Sequence, residues 1–261
     1  MAKSGQAHVP TAAEKRYLYD VIKEHRHPEK NTAIMKISFN LGLRVQEIAL
    51  LQLKEVCRLG RVTVLVPREF TLHRIMALPA AYTKGANSMG RSQSKYKRKR
   101  VSFSVDEFEQ ILNQVETLVK AGAEIIPSSF YKPVIKHKGK SRDLPMKNAS
   151  LRKALEDYIT LRLESDRGAK PTDPLFITQK GVPYSPNTLQ EHMALMLRGW
   201  AGIEKSSSHS GRRALITNII HTQKKSVKIA QKVSGHMNPS TTIIYEEPPE
   251  EEIENALENI E

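Results

Sequence analysis

Cysteine is almost absent from this 261-residue chain. Cys57 stands alone, which excludes an internal disulfide framework and any zinc site built on several cysteines. No apolar run reaches membrane-spanning length, and the opening residues MAKSGQAHVP lack the apolar core of a secretion signal. The expected location is therefore cytoplasmic, in the nucleoid or with whatever DNA the cytoplasm holds. Acidic residues are also scarce, 28 against 41 Lys and Arg, for a net charge of +13. Eight of those acids sit in residues 246–261, which contain no Lys or Arg, so residues 1–245 carry +21. What is present is ordinary for a folded soluble protein: 39% hydrophobic and 26% charged residues. A basic body of this kind suits a polyanion, most often nucleic acid. Ribosomal, membrane-surface and merely soluble basic proteins share that charge balance.

The apolar periodicity is mostly helical. Residues 11–28 read as an amphipathic helix with a Thr11/Glu14 capping box and a stripe of Leu18, Val21 and Ile22. Residues 31–54 read as two helices, or one bent near Gly42. Residues 62–66 and 75–82 have strand character, the second with a proline irregularity. Residues 84–100 hold seven Lys or Arg and no acid, the composition of a basic loop or hairpin tip. Helical periodicity resumes at 105–120, with Phe108, Ile111, Leu112 and Val115 on one face. Residues 134–146 read as a β-hairpin turning at Gly139. Helices follow at 149–164, 187–201, 210–222 and 226–234, with a short strand or turn at 175–177. The acidic tail repeats Ile253, Leu257 and Ile260 at helical spacing.

Three segments carry chemistry. In GLRVQEIALL (42–51), Arg44 and Glu47 are three apart and share a helix face; a surface ion pair accounts for them equally well. In SSSHSGRRALITNII (206–220), Ser206 to Ser208 suit a helix N-terminus, and His209 and Arg212 project from its first turn. Backbone N–H groups, the helix dipole and a forked guanidinium then converge on a seat for phosphate. In VSGHMNPSTTIIYEE (233–247), His236 precedes Tyr245 by nine residues across a Pro-Ser-Thr-Thr turn.

In this order the segments resemble the tyrosine recombinase (phage integrase) family. That family's pattern is an Arg in a G-L-R-x-x-E context, a Lys on a β-hairpin, an H-x-x-R pair, and G-H followed by a nucleophilic Tyr. It stands here as Gly42-Leu43-Arg44 with Glu47, His209 with Arg212, Gly235-His236, and Tyr245. The connecting text PLFITQKG, NTLQEHM and AGI matches as well, so the resemblance covers roughly residues 10–250. It implies a mixed α/β, mainly helical catalytic domain with a small antiparallel β-sheet. It also implies DNA cleavage and rejoining through a 3′-phosphotyrosine, in site-specific recombination or integration, with no metal, ATP or other cofactor. Tyr245 would be the nucleophile. Arg44 and Arg212 would clamp the non-bridging oxygens, His209 would help take the tyrosine proton, and His236 would bond the phosphate.

The proton donor to the leaving 5′-oxygen is open between two lysines. Lys84 has the Thr-Lys-Gly context and lies nearer Arg44. Lys138 lies nearer the better downstream strand, SRDLPM. If residues 85–137 are an insertion in the hairpin, Lys84 stands at one root. The family's separate N-terminal core-binding domain is not expected, because only about ten residues precede the first helix. The basic run Arg91, Lys95, Lys97, Arg98, Lys99 and Arg100 is expected to track DNA phosphates in its place, or a clamp or DNA-bending partner supplies the grip. Residues 246–261 are expected to form a tail helix that joins protomers, with a homotetramer on paired sites of double-stranded DNA as the working unit and no membrane involved. The other readings are a type IB topoisomerase-like relaxing activity and a catalytically inactive, architectural DNA-binding protein.

Overall fold

The computed structural model describes residues 7–62, 68–82, 105–125, 141–236, 238–245 and 258. The chain divides into two compact units, Met1–Lys84 with Gly139–Glu261, and Gly85–Lys138.

The first unit is built around a buried helix. α1 (Ala12–Lys23) starts at Thr11, whose hydroxyl accepts from the Glu14 N–H while the Glu14 carboxylate accepts from the Thr11 N–H. α1 stops at Lys23 rather than running to residue 28. His27 takes a left-handed backbone (φ 58°) and Pro28 opens the next helix, α2 (Pro28–Leu41). A proline disfavours helical geometry in the residue before it yet fits the first helical position, so it divides one periodic stretch into two helices. α2 buries Ala33, Ile34, Met35 and Ile37 completely and packs against α1, α6 (Ala149–Ser165) and α8 (Ser210–Thr217). It ends at Gly42, and α3 (Val45–Leu50) begins after Arg44. The 31–54 stretch is therefore broken twice, since α4 (Leu53–Val56) follows as a separate turn.

The β structure consists of two small antiparallel pairs. β1 (Cys57–Leu59) pairs with β2 (Phe70–Leu72). β3 (Ile75–Leu78) pairs with β4 (Arg142–Pro145), with Leu78 opposite Arg142. Pro79 ends β3, and a short 3₁₀ turn follows at Ala80–Tyr82. The observed partner of the 142–145 strand is thus β3, 64 residues or more upstream. The Gly139 turn and all of the 62–66 strand except Val62 lie outside the described residues, and Val62 is exposed. At 175–177 only an isolated bridge forms, Ile177 with Pro183.

The remaining helices are α7 (Pro186–Ala194), α8, α9 (Val227–Ser234) and the one-turn α10 (Ser240–Ile243). α7 continues in wider π-type turns through Trp200, as α8 does through Thr222. A second small core of Ile216, Ile219, Ile220 and Ala230 receives Tyr245 against its edge. The tail stripe of Ile253, Leu257 and Ile260 lies outside the described residues.

The described part of the second unit is α5 (Val105–Lys120) and the residues up to 125. The helix forms where its periodicity predicts, but none of its side chains is buried, and Phe108 and Leu112 are about half exposed.

Candidate active site

The C-terminal end of α2 is where three distant segments meet. Gly211 sits in the first turn of α8, against α2. A Cβ there would lie 2.2 Å from the Ser38 hydroxyl and 2.9 Å from the Ser38 carbonyl carbon. Only a residue without a side chain lets the two backbones approach this closely. That approach carries Arg212 to the end of α2, where its Nη1 donates to the Gly42 carbonyl at 2.6 Å. Its Nη2 donates to the Ser234 carbonyl at the end of α9. Arg212 is 4% exposed.

Arg44 is the N-cap of α3 and not part of the helix, and Glu47 is the third residue inside it. The shared-face geometry expected from the sequence is replaced by a capping one. The Glu47 carboxylate accepts from the Arg44 N–H at 2.8 Å and from Arg44 Nη1 at 3.2 Å. Glu47 is fully buried while the Arg44 side chain stays 24% exposed, so this guanidinium is held from below and remains open to solvent. Arg142 of β4 completes the arrangement. Its Nη2 lies 2.7 Å from the second Glu47 oxygen, and its Nη1 donates to the Val233 and Ser234 carbonyls at 2.9 and 2.7 Å.

Three guanidinium groups thus cluster with one carboxylate: Arg44 and Arg142 pair with Glu47, and Arg212 meets Arg142 at the Ser234 carbonyl. Burial, reinforced by the Arg44 and Arg142 charges, pulls Arg212 down to about 9, which leaves it protonated at neutral pH. Burial also lowers Arg142, against the opposing pull of Glu47.

His236 follows α9 directly. Gly235 ends that helix with a left-handed backbone (φ 66°), and a Cβ there would lie 2.4 Å from Arg142 Cδ. The turn therefore needs glycine both for its backbone and for the space that Arg142 fills. Burial and the Arg212, Arg44 and Arg142 charges push the His236 imidazole down to about 4, so it is neutral at pH 7. Its Nδ1 is 2.8 Å from the hydroxyl of the fully buried Thr242. When Thr242 donates, the ring proton sits on Nε2 and is available to an anion. The His236 and Tyr245 rings stack with centroids 6.1 Å apart, and the Arg213 guanidinium lies 5.9 Å from the Tyr245 ring centre. The Tyr245 carbonyl is 2.9 Å from His221 Nε2.

His209 is exposed and is itself the N-cap of α8, one turn ahead of Arg212. The expected serine cap is corrected here. The helix starts at Ser210, while Ser207 and Ser210 hold the preceding turn: the His209 N–H donates to the Ser207 hydroxyl and the Ser207 N–H to the Ser210 hydroxyl. The structure therefore brings together Arg44, Arg212, His236 and Tyr245, while His209 stands exposed at the N-cap of the helix that carries Arg212. Lys84, Lys138 and the basic residues Arg91, Lys95, Lys97, Arg98, Lys99 and Arg100 lie outside the described residues.

Arg142 was not singled out by motif. Its signal lies in the alternation of SRDLPM: Arg142, Leu144 and Met146 face inward while Asp143 and Pro145 face out. An arginine at an inward strand position demands a buried acid, and Glu47 is that acid. Among the described residues no group of three or more His, Cys, Asp or Glu is disposed to hold a metal, and no helix is long and apolar enough to cross a membrane.

The family model described as the phage integrase family matches residues 134–252. Tyrosine recombinase XerC of Methylobacterium sp. (strain 4-46) is 31% identical over 120 residues, 46% of this chain and 36% of that protein. XerC of Methylobacterium nodulans (strain LMG 21967 / CNCM I-2342 / ORS 2060) is 32% identical over 107 residues, 41% of this chain and 31% of that protein. The chain spans about a third of the length of these curated relatives.

Among solved structures, XerA recombinase superposes with a TM-score of 0.57 at 17% identity, over 98% of this chain and 68% of that one. The Tn1549 transposon integrase in complex with transposon right end DNA gives 0.59 at 15% identity, over 99% and 67%. The chain shares its fold with these recombinase and integrase structures.

Proposed function

We propose that this protein is a site-specific DNA recombinase or integrase that cuts and rejoins strands through a 3′-phosphotyrosine. The observation that supports this reading best is the charge of the cluster: Arg44, Arg142 and Arg212 against Glu47 alone, beside a neutral imidazole and a tyrosine. A phosphodiester carries one negative charge and its pentacoordinate transition state two. A preorganised excess of two positive charges matches the second state better than the first, which is what lowers a barrier.

In this reading the Tyr245 oxygen attacks phosphorus as its proton leaves with the help of His209. The bond to the 5′-oxygen breaks, and a lysine, Lys84 or Lys138, protonates that oxygen. Arg44 and Arg212 hold the non-bridging oxygens, and His236 donates from Nε2. The new ester conserves the energy of the broken bond, so a 5′-hydroxyl reseals the strand by the reverse reaction without ATP. Residues 85–137 stand as an insertion between the two candidate lysines. Arg91, Lys95, Lys97, Arg98, Lys99 and Arg100 grip the DNA backbone. Residues 246–261 link protomers, in a tetramer on two sites. The Tn1549 integrase, described in complex with transposon DNA, and XerH, described bound to its difH substrate, supply the analogy.

Covalent trapping tests the reading. Duplexes selected by binding from a randomised pool are given a 5′-bridging phosphorothiolate and incubated with the protein without metal. A denaturation-resistant adduct that Tyr245→Phe abolishes supports it. The lysine variant, Lys84→Ala or Lys138→Ala, that cleaves the phosphorothiolate but not ordinary DNA identifies the acid, because a thiolate leaves without a proton. Bound DNA with no adduct refutes the enzymatic reading.

A further inference from the structure

We infer that Arg142 is a positioning residue for strand cleavage, joining the Arg44–Glu47 pair of α3 to the α9 turn that carries His236. This rests on the proposed reading of the site.

The geometry gives Arg142 no free face toward a substrate. It is 8% exposed, with Nη2 on Glu47 and Nη1 on two carbonyls. Its reach is what distinguishes it. Through Glu47 it acts on Arg44, the exposed guanidinium of the cluster. At the Ser234 carbonyl it meets Arg212, which donates to the same oxygen. Its side chain fills the space above Gly235, one residue before His236. The three groups proposed to hold the phosphate therefore all rest on one side chain of a strand that none of them belongs to.

The chemistry explains why this residue is arginine. The last carbonyls of a helix lack intrahelical donors and carry the negative end of its dipole, so a cation placed there is favoured. One planar fork spans two such carbonyls and a carboxylate at once; a lysine ammonium is a single point and does not. The second consequence concerns charge. Glu47 has two cationic neighbours, and the Arg142 charge lies 2.7 Å from the oxygen that also accepts the Arg44 N–H. Without Arg142 the buried carboxylate would have Arg44 as its only described partner. Arg44 would close onto it as a tighter pair and withdraw from the solvent side, where a phosphate would enter. The predicted defect is thus in the rate of the cleavage step at saturating DNA, with affinity nearly intact because the buried Arg142 offers DNA no face of its own.

The test uses the full chain, with wild type, Arg142→Met, Arg142→Lys, Glu47→Gln and the Arg142→Met/Glu47→Gln double variant. Folding is checked by thermal melting. Single-turnover adduct formation on the phosphorothiolate duplex is read at saturating protein, and DNA affinity separately. Arg142→Met is expected to slow adduct formation about 100-fold, as a misplaced catalytic group does, with affinity within about threefold of wild type. The double variant is expected to be at least about tenfold faster than Arg142→Met, because no unneutralised carboxylate then holds Arg44 back. The NMR titration of His236 should move upward in Arg142→Met, since one of the charges depressing it is gone.

A wild-type rate in Arg142→Met overturns the inference. So does a double variant no faster than the single, or a loss that appears wholly in affinity. If Arg142→Met does not fold, Arg142→Lys decides, with a folded protein slowed at least about tenfold expected and a wild-type rate overturning it. Absence of an adduct from wild type is a different result: it refutes the functional reading itself. The shift of the His236 titration then still reports whether Arg142 acts on that turn.

Discussion

The two ends of α2 are alike in composition and opposite in chemistry. At the N-terminal end a cavity of about 800 Å³ is lined by His25, His27, Lys30, Tyr184, His192 and Trp200, among others. It lies about 20 Å along the helix from the guanidinium cluster. Both ends hold a buried cation and a histidine lowered to about 4, His192 at one and His236 at the other. Yet the aromatic, histidine and lysine groups at the N-terminal end engage one another or a backbone carbonyl. His25 stacks on Trp200 at 3.8 Å, the Tyr184 hydroxyl and His192 Nδ1 are 3.0 Å apart, and Lys30 donates to the Ile177 carbonyl while lying over the Tyr184 ring. At the other end three guanidiniums face one carboxylate, and one of them is open to solvent. A large cavity and a neutralised histidine therefore do not mark the site. Unspent charge with access to solvent does.

The comparison breaks first, and most visibly, at the cations. Arg212→Ala removes a transition-state donor in a water-poor site and should slow adduct formation on the order of 10³-fold. It also strips the Gly42 and Ser234 carbonyls of a partner, so a drop in melting temperature accompanies it. Arg212→Lys should recover stability more than rate, because an ammonium does not reproduce the fork. Equal recovery of both would make Arg212 a structural residue.

How much of this was legible depends on the span of each interaction. The Thr11–Glu14 capping box and the Arg44–Glu47 pair join residues three apart, and both could be read directly from spacing. Pro28 was equally visible, but helical periodicity on both sides of it masked the break that it imposes. The Arg142–Glu47 pair and the Arg212–Gly42 bond span 95 and 170 residues, and no local pattern encodes them. The family resemblance supplied Arg44 with Glu47 and Arg212 without its carbonyl partners, and it placed Arg142 only within the SRDLPM strand, with no role. The strand alternation around Arg142 announced a buried cation; only the fold could say which acid it meets.

The histidines sharpen the comparison in a second way. Both are held near 4 in the folded chain and return to about 6.5 on unfolding. Between those values the unfolded chain binds more protons, so acidification destabilises the fold from about pH 6.5 down to about pH 4, by at most about 3 kcal/mol for each histidine and by less once solvent screening is counted. His236→Gln and His192→Gln should each flatten that slope. Sulfate should separate them. An anion in the guanidinium cluster favours the protonated imidazole and raises the His236 titration measured by NMR, while His192, already paired with the Tyr184 hydroxyl, stays where it was. Parallel shifts would mean that the two ends bind anions alike.

The smallest expected effect is the most discriminating. Lys30 is 7% exposed, burial lowers its pKa, and it has no carboxylate partner among the described residues. By burial alone it looks as functional as Arg212. Lys30→Met keeps the aliphatic stem packed, removes a desolvated charge, and gives up one bond to a backbone carbonyl. The gain and the loss are each on the order of 1 kcal/mol and opposite in sign, so stability should change by less than about 1 kcal/mol. Adduct formation should not change, because Lys30 bonds the Ile177 carbonyl and none of the cluster's side chains. A rate defect in a stable Lys30→Met protein would show that the cavity is coupled to the chemistry, and the distinction between spent and unspent charge would fail at the position where it predicts most firmly.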